Sequence, residues 1–144
     1  MSPFANLLKT LRVGRGLRQF ELAELVGYEQ SYVSALELDI KGPPNGEFVE
    51  HLVDALQLSP IEQETLNEAV AASQRKINLP HETPSEVYWL FHKLRRQIDR
   101  LHPVQIQLIE TALNLPAELR LPINESPSRI KRQIRGTVKE EAEM

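Results

Sequence analysis

Apolar residues recur three and four positions apart through nearly the whole chain, and nowhere do they alternate with polar ones over the length of a strand. That period collects apolar side chains on one stripe of a helix, so the pattern predicts an all-α fold. Phe4, Leu7, Leu8 and Leu11 mark a first helix, ended by Gly14 and Gly16. A second, Gln19 to Val26, turns Leu22, Ala23 and Val26 inward and stops at Gly27, a residue free to adopt the left-handed conformation that closes helices. A third runs from about Gln30 to Leu38 on Val33 and Leu36. Lys41-Gly42-Pro43-Pro44-Asn45-Gly46 must be a loop, because proline removes donors and glycine loosens the backbone. A fourth helix carries Phe48, Val49, Leu52, Val53 and Leu56.

Ser59-Pro60-Ile61-Glu62 is a capping box with proline at the first helical position, so a fifth helix should start there and reach about Ser73. The same device recurs at Thr83-Pro84-Ser85-Glu86. Between the two, 74–83 is polar, contains Pro80 and reads as a linker that closes a first domain of 1–73. A sixth helix shows Val87, Leu90, Phe91, Leu94, Ile98 and Leu101 on one face. After His102-Pro103 a seventh shows Val104, Leu108, Ile109, Ala112 and Leu113. These two predict a helical hairpin over 84–115. Pro116, Pro122 and Pro127, with the charged stretch from Arg129, predict a flexible tail over 116–144, with a helical turn near Ile130 to Ile134.

A chain of 144 residues, 41% hydrophobic, can bury one core and a smaller second one. It contains no cysteine, which removes disulfides, thiolate metal sites and thiol nucleophiles and suits a reducing cytoplasm. Lys9, Arg12 and Arg15 interrupt the apolar residues of the first sixteen positions, so neither a signal peptide nor a membrane span is expected there. The net charge of −3 is unevenly spread. Residues 1–72 hold 5 Lys/Arg against 11 Asp/Glu, 73–115 hold 6 against 4, and 116–144 hold 6 against 5.

The second and third helices, joined by a short turn at Gly27, form the helix-turn-helix arrangement that lays its second helix in the major groove of DNA. The run Leu17-Arg18-Gln19-Phe20-Glu21-Leu22-Ala23-Glu24-Leu25-Val26-Gly27-Tyr28-Glu29-Gln30-Ser31-Tyr32-Val33-Ser34-Ala35-Leu36-Glu37 resembles the Cro/CI-type (XRE) family of phage and bacterial repressors, in register from Gln19 to Glu37. The resemblance continues through Pro44 and through Asp54 to Pro60, covering roughly Leu7 to Val70. It implies a five-helix, lambda-repressor-like domain that binds double-stranded DNA as a homodimer on inverted half-sites. It also implies that Arg12 of the first helix holds Glu37 in a structural ion pair.

Ala23 stands where the two helices cross closely, and Gly27 permits the turn between them. Gln30, Ser31 and Ser34 fall on the outward face of the third helix. Glutamine there can pair bidentately with adenine, and serine can donate to or accept from several bases. Gln19, at a helix N-terminus, is placed to bond a phosphate, with Arg18, Tyr32, Lys41 and Asn45 as further backbone contacts. Glu29 departs from the small hydroxyl residue usual in the family: it either repels phosphate or accepts from a cytosine amino group. Asp39 stands at the family's glycine, and the loop after it keeps only Lys41 of the usual basic residues.

Tyr88, Trp89 and Phe91 read as core of the hairpin before they read as a ligand pocket. His51, His81, His92 and His102 lack metal-ligand spacing, no cofactor motif is present, and no catalytic motif suggests an enzyme. The basic run Arg129, Lys131, Arg132 and Arg135 is a solvated tail or a phosphate contact. The sequence thus predicts a cytoplasmic DNA-binding transcriptional regulator, more readily a repressor, dimerised through its C-terminal helices. The alternatives are an antitoxin regulating its own operon, or a protein-interaction module that has lost DNA binding.

Overall fold

The computed structural model describes residues 1–116, and all of its regular elements are helical. They are α1 (Pro3–Gly14), α2 (Gln19–Val26), α3 (Gln30–Glu37), α4 (Gly46–Leu56), α5 (Pro60–Ala72), α6 (Ser85–Gln97) and α7 (Pro103–Leu113), with a 3₁₀ turn at Ile98–Arg100. The chain divides into two compact units, the first ending at His81 and the second starting at Glu82. The tail expected beyond Pro116, including its basic run, lies outside the described residues.

In the first unit Phe4, Leu8, Leu22, Val26, Val33, Leu36, Phe48, Leu52 and Leu66 are all buried, so one residue set from all five helices closes a single core. α1 packs on α3 and α5, while α2 packs on α3 and α4. Helix ends are fixed by local chemistry. Ser2 Oγ accepts from the Ala5 amide at 3.3 Å, Asn45 Oδ1 from Phe48 at 3.1 Å, and Ser59 Oγ from Glu62 at 3.3 Å. The Glu62 carboxylate in turn accepts from the Ser59 amide at 2.9 Å, completing the capping box.

The second unit is built differently. No residue of α6 or α7 is buried, and Leu90, Ile98, Leu108 and Leu113 are each more than 60% exposed. Trp89 is exposed and Tyr88 half so, against the expectation that these aromatics form core. Two amphipathic helices of this length present more apolar surface than they can cover on each other. α6 begins at Ser85 with Pro84 at its N-cap, one residue later than the Thr83 cap read from the sequence. α7 is capped by His102: its Nδ1 accepts from the Val104 amide at 3.2 Å, and Gln105 Oε1 accepts from the His102 amide at 2.8 Å.

Candidate nucleic-acid interface

The turn between α2 and α3 rests on Gly27, which takes the left-handed conformation at φ 75°. The Tyr28 amide then reaches back to the Ala23 carbonyl at 3.0 Å and ends α2 cleanly. Ala23 itself is 3% exposed, leaving no room for a larger side chain in this crossing.

What holds α3 at its angle is a buried carboxylate. Glu37, its side chain 3% exposed, receives Arg12 Nε at 2.5 Å and Arg12 Nη2 at 3.1 Å. Gln19 Nε2 donates to the same carboxylate at 2.8 Å, and Arg12 Nη1 donates to the Leu17 carbonyl at 2.8 Å. One carboxylate therefore ties together α1, the start of α2 and the end of α3. A paired, fully hydrogen-bonded charge in this position fixes geometry more than it adds net stability. Gln19's amide nitrogen is thus turned inward, so any phosphate contact there falls to the backbone amides at the helix start.

A second tether works on the exit from α3. Asp39 adopts φ 60°, the conformation for which glycine is the usual choice. Its carboxylate accepts from the Ser2 amide at 2.9 Å and stands 3.4 Å from Arg75 Nη2, which also donates to the Asp39 carbonyl at 2.6 Å. The Ser2 hydrogen bond foremost, with Arg75 beside it, holds the Asp39 carboxyl below its ordinary value of 3.8. Ser73 Oγ, buried at the end of α5, accepts from the Phe4 amide at 2.9 Å and donates to the Ala69 carbonyl. Both ends of the first unit are thereby tied to Asp39, just past α3, and to each other.

With α3 so held, Gln30, Ser31, Ser34 and Leu38 fall in an outward arc of about 100° at the α-helical repeat. Gln30 and Ser31 are exposed, Ser34 is half-buried, and Leu38 is 62% exposed. Glu29 occupies the N-cap position without a side-chain cap, its carboxylate 3.4 Å from Ser31 Oγ. Tyr28, Glu29, Ser31, Tyr32, Lys41 and Asn45 line one open groove between the start of α3 and the 41–45 loop. Tyr28 stacks on Tyr32 with ring centroids 5.2 Å apart, both rings meet Phe48 edge-on, and Lys41 Nζ sits 5.0 Å over Tyr32. Burial foremost, then Tyr28, pushes the Tyr32 hydroxyl above its ordinary 10.0, so it is a neutral donor at physiological pH. Arg18 is exposed at the N-cap of α2, where its amide donates to Glu21 at 2.6 Å.

Of the sequence candidates, Glu29, Ser31, Tyr32, Lys41 and Asn45 meet at this groove, Gln30 and Ser34 lie on the adjoining arc, and Gln19 faces inward. Reading the sequence did not single out Leu38, which continues the arc as an exposed apolar side chain. Its position four residues after Ser34 is the signal that could have found it. Among the described residues no cluster of His, Asp and Glu could hold a metal ion, and no helix is long and apolar enough to cross a membrane.

Residues 3–66 match the model of a helix-turn-helix domain family, a span running from the start of α1 into α5. No similarity to a curated protein or to a solved structure reaches significance.

Proposed function

We propose that this chain, whose residues 3–66 form a helix-turn-helix domain, is a sequence-specific DNA-binding transcriptional regulator of the Cro/CI type. α3 is the helix that enters the major groove. Gln30, Ser31 and Ser34 read base edges, and Leu38 contacts a thymine methyl. Lys41, Tyr32, Asn45 and Arg18 touch the flanking phosphates, and the free amides at the start of α2 receive another. Glu29 reads a cytosine amino group where the half-site offers one and otherwise rejects it. The observation that carries this reading is the exposed arc of α3, held outward by the Arg12, Gln19 and Glu37 network beneath it.

The protein acts in the cytoplasm as a homodimeric repressor on inverted half-sites, with α6 and α7 supplying the dimer contact. The exposed apolar residues of these two helices support that role, since such surface is normally covered in a working assembly. They also favour the second reading, an antitoxin whose C-terminal half covers a partner protein. Selection of bound fragments from random double-stranded DNA tests the proposal. A recovered inverted repeat supports it, recovery of a partner-bound operator complex supports the antitoxin, and no enriched sequence leaves the chain a protein-interaction module.

A further inference from the structure

The first unit is poorly supplied with free positive charge. Residues 1–81 carry 7 Lys/Arg against 11 Asp/Glu. Three of those seven cations are committed internally: Arg12 to Glu37, Arg15 to Glu62 and Arg75 to Asp39. Sequence-independent affinity for a duplex comes from cations that displace its counterions, so this unit alone would hold DNA weakly.

The second unit is balanced over residues 82–116, with 4 Lys/Arg against 4 Asp/Glu, but it gathers its cations in one place. Its described Lys/Arg residues all lie between 93 and 100, and Lys93, Arg96 and Arg100 are spaced by three and four positions, which aligns them on one side of α6 and its 3₁₀ extension. The three line one open concavity together with Gln97 and Gln105. Among the described residues no carboxylate pairs with Lys93 or Arg96. Arg100 has only a 3.8 Å approach to Asp99, with both side chains more than three-quarters exposed. Gln105 spends its Oε1 on the His102 amide, which leaves its amide hydrogens free to donate into the concavity. The surface therefore offers cations and amide donors, with no acid among the residues that line it.

We propose that Lys93, Arg96 and Arg100, with Gln97 and Gln105, form a second nucleic-acid contact that binds the phosphate backbone of duplex DNA without reading its sequence. It supplies the electrostatic share of affinity that the acidic helix-turn-helix unit lacks. The inference rests on the DNA-binding reading and adds to it a site outside that unit. Arg95, between the stripe residues in sequence but turned about 100° or more away from Lys93 and Arg96, takes no part.

The test is a salt titration of the full chain on a labelled duplex of random sequence, comparing the parent with the Lys93→Gln/Arg96→Gln/Arg100→Gln triple variant and with Arg95→Gln. All four side chains are exposed, and circular dichroism checks that helicity is retained. Losing about three phosphate contacts should make the dependence of log K on log salt shallower by about 2.7. Raising salt from about 50 to 200 mM should then weaken the parent about 40-fold more than the triple variant. Arg95→Gln should keep the parental slope. A triple variant with parental affinity and slope overturns the inference while leaving the helix-turn-helix reading intact, and is the outcome expected if the stripe serves an acidic protein. An Arg95→Gln slope reduced like the triple variant's overturns it too. A parent that binds no duplex in a salt-sensitive way overturns both readings together.

Discussion

Gln19 Nε2 stands 2.8 Å from Glu37 Oε2, so the first residue of α2 donates to the last residue of α3 across the turn that separates them. The same carboxylate holds Arg12 through two guanidinium nitrogens. Removing Arg12 leaves a buried charge with one neutral donor, whereas removing Gln19 leaves it with its countercharge. Arg12→Ala should therefore cost about 3–5 kcal/mol. Gln19→Ala should cost about 1–3 kcal/mol. Because both act through Glu37, the double variant should depart from the sum of the two, and urea denaturation of all four proteins measures that coupling. Losses that simply add in the double variant would show that Glu37 is not the shared point.

Specificity should reside in Gln30. Gln30→Ala is expected to weaken binding to a selected half-site by about 1–3 kcal/mol while leaving random-sequence binding nearly unchanged. Ser34→Ala should have the smaller effect, since Ser34 is half-buried and reaches less far. Competition titrations against both DNAs separate the two, and a Gln30→Ala protein equally weakened on each would be a backbone contact instead.

The helix order, the Gly27 turn and the capping box at Ser59 could be read directly from the residues, because each depends on contacts within a few positions of chain. The family likeness led further, to Arg12 beside Glu37. What no local pattern carried were bonds between distant segments. Gln19 turns inward to Glu37, Arg15 reaches Glu62 and the Leu56 carbonyl, and Ser73 reaches the Phe4 amide. Arg75, placed in the linker by composition, is anchored to Asp39 thirty-six residues earlier. The exposure of Trp89 was equally hidden, because helical spacing shows that residues share a face and not whether the chain itself covers it.

Acid should loosen the first unit through two carboxylates. Asp39 is held below its ordinary 3.8, foremost by the Ser2 hydrogen bond. Glu62 is held below its ordinary 4.5, foremost by the Ser59 amide and then by Arg15. A lowered folded-state value means that the contribution is complete above the ordinary value and disappears as pH falls through the lowered one. Stability should therefore be flat above about pH 5 and decline as acid is added below it. Glu62→Gln should lower stability at neutral pH and flatten that decline. Thermal melts across the range check it, and an acid limb unchanged in the variant would assign the loss to other groups.

At Asp39 two effects can be set against each other. Asp39→Gly and Asp39→Ala both lose the carboxylate's contacts to Ser2 and Arg75 while keeping the Arg75 bond to the backbone carbonyl, but only alanine also strains a backbone held at φ 60°. Alanine should be the less stable of the two, with parental Asp39 above both if the contacts outweigh the backbone preference. Melting temperatures of the three give the order. A glycine variant more stable than the parent would mean the contacts are worth less than the left-handed conformation costs.

Self-association should depend on the second unit. Leu90, Leu94, Leu101, Leu108 and Ile109 line one apolar groove, and no residue of α6 or α7 is buried. Lys93, Gln97 and Gln105 border both this groove and the basic concavity, whereas Arg96 and Arg100 line the concavity alone, so a second copy seated on the leucines leaves those two arginines to DNA. A charge placed in that groove, as in Leu94→Glu or Leu108→Glu, should convert a dimer to a monomer, read by light scattering. A fragment ending at His81 should fold as a monomer, since its core is closed within the first unit and the Arg75 contact to Asp39 is retained. A cut after Ser73 would remove that contact and should lower the fragment's melting temperature. The same charges leaving the full chain dimeric would move the interface off these helices and take away the support that their exposed residues lend to the dimer.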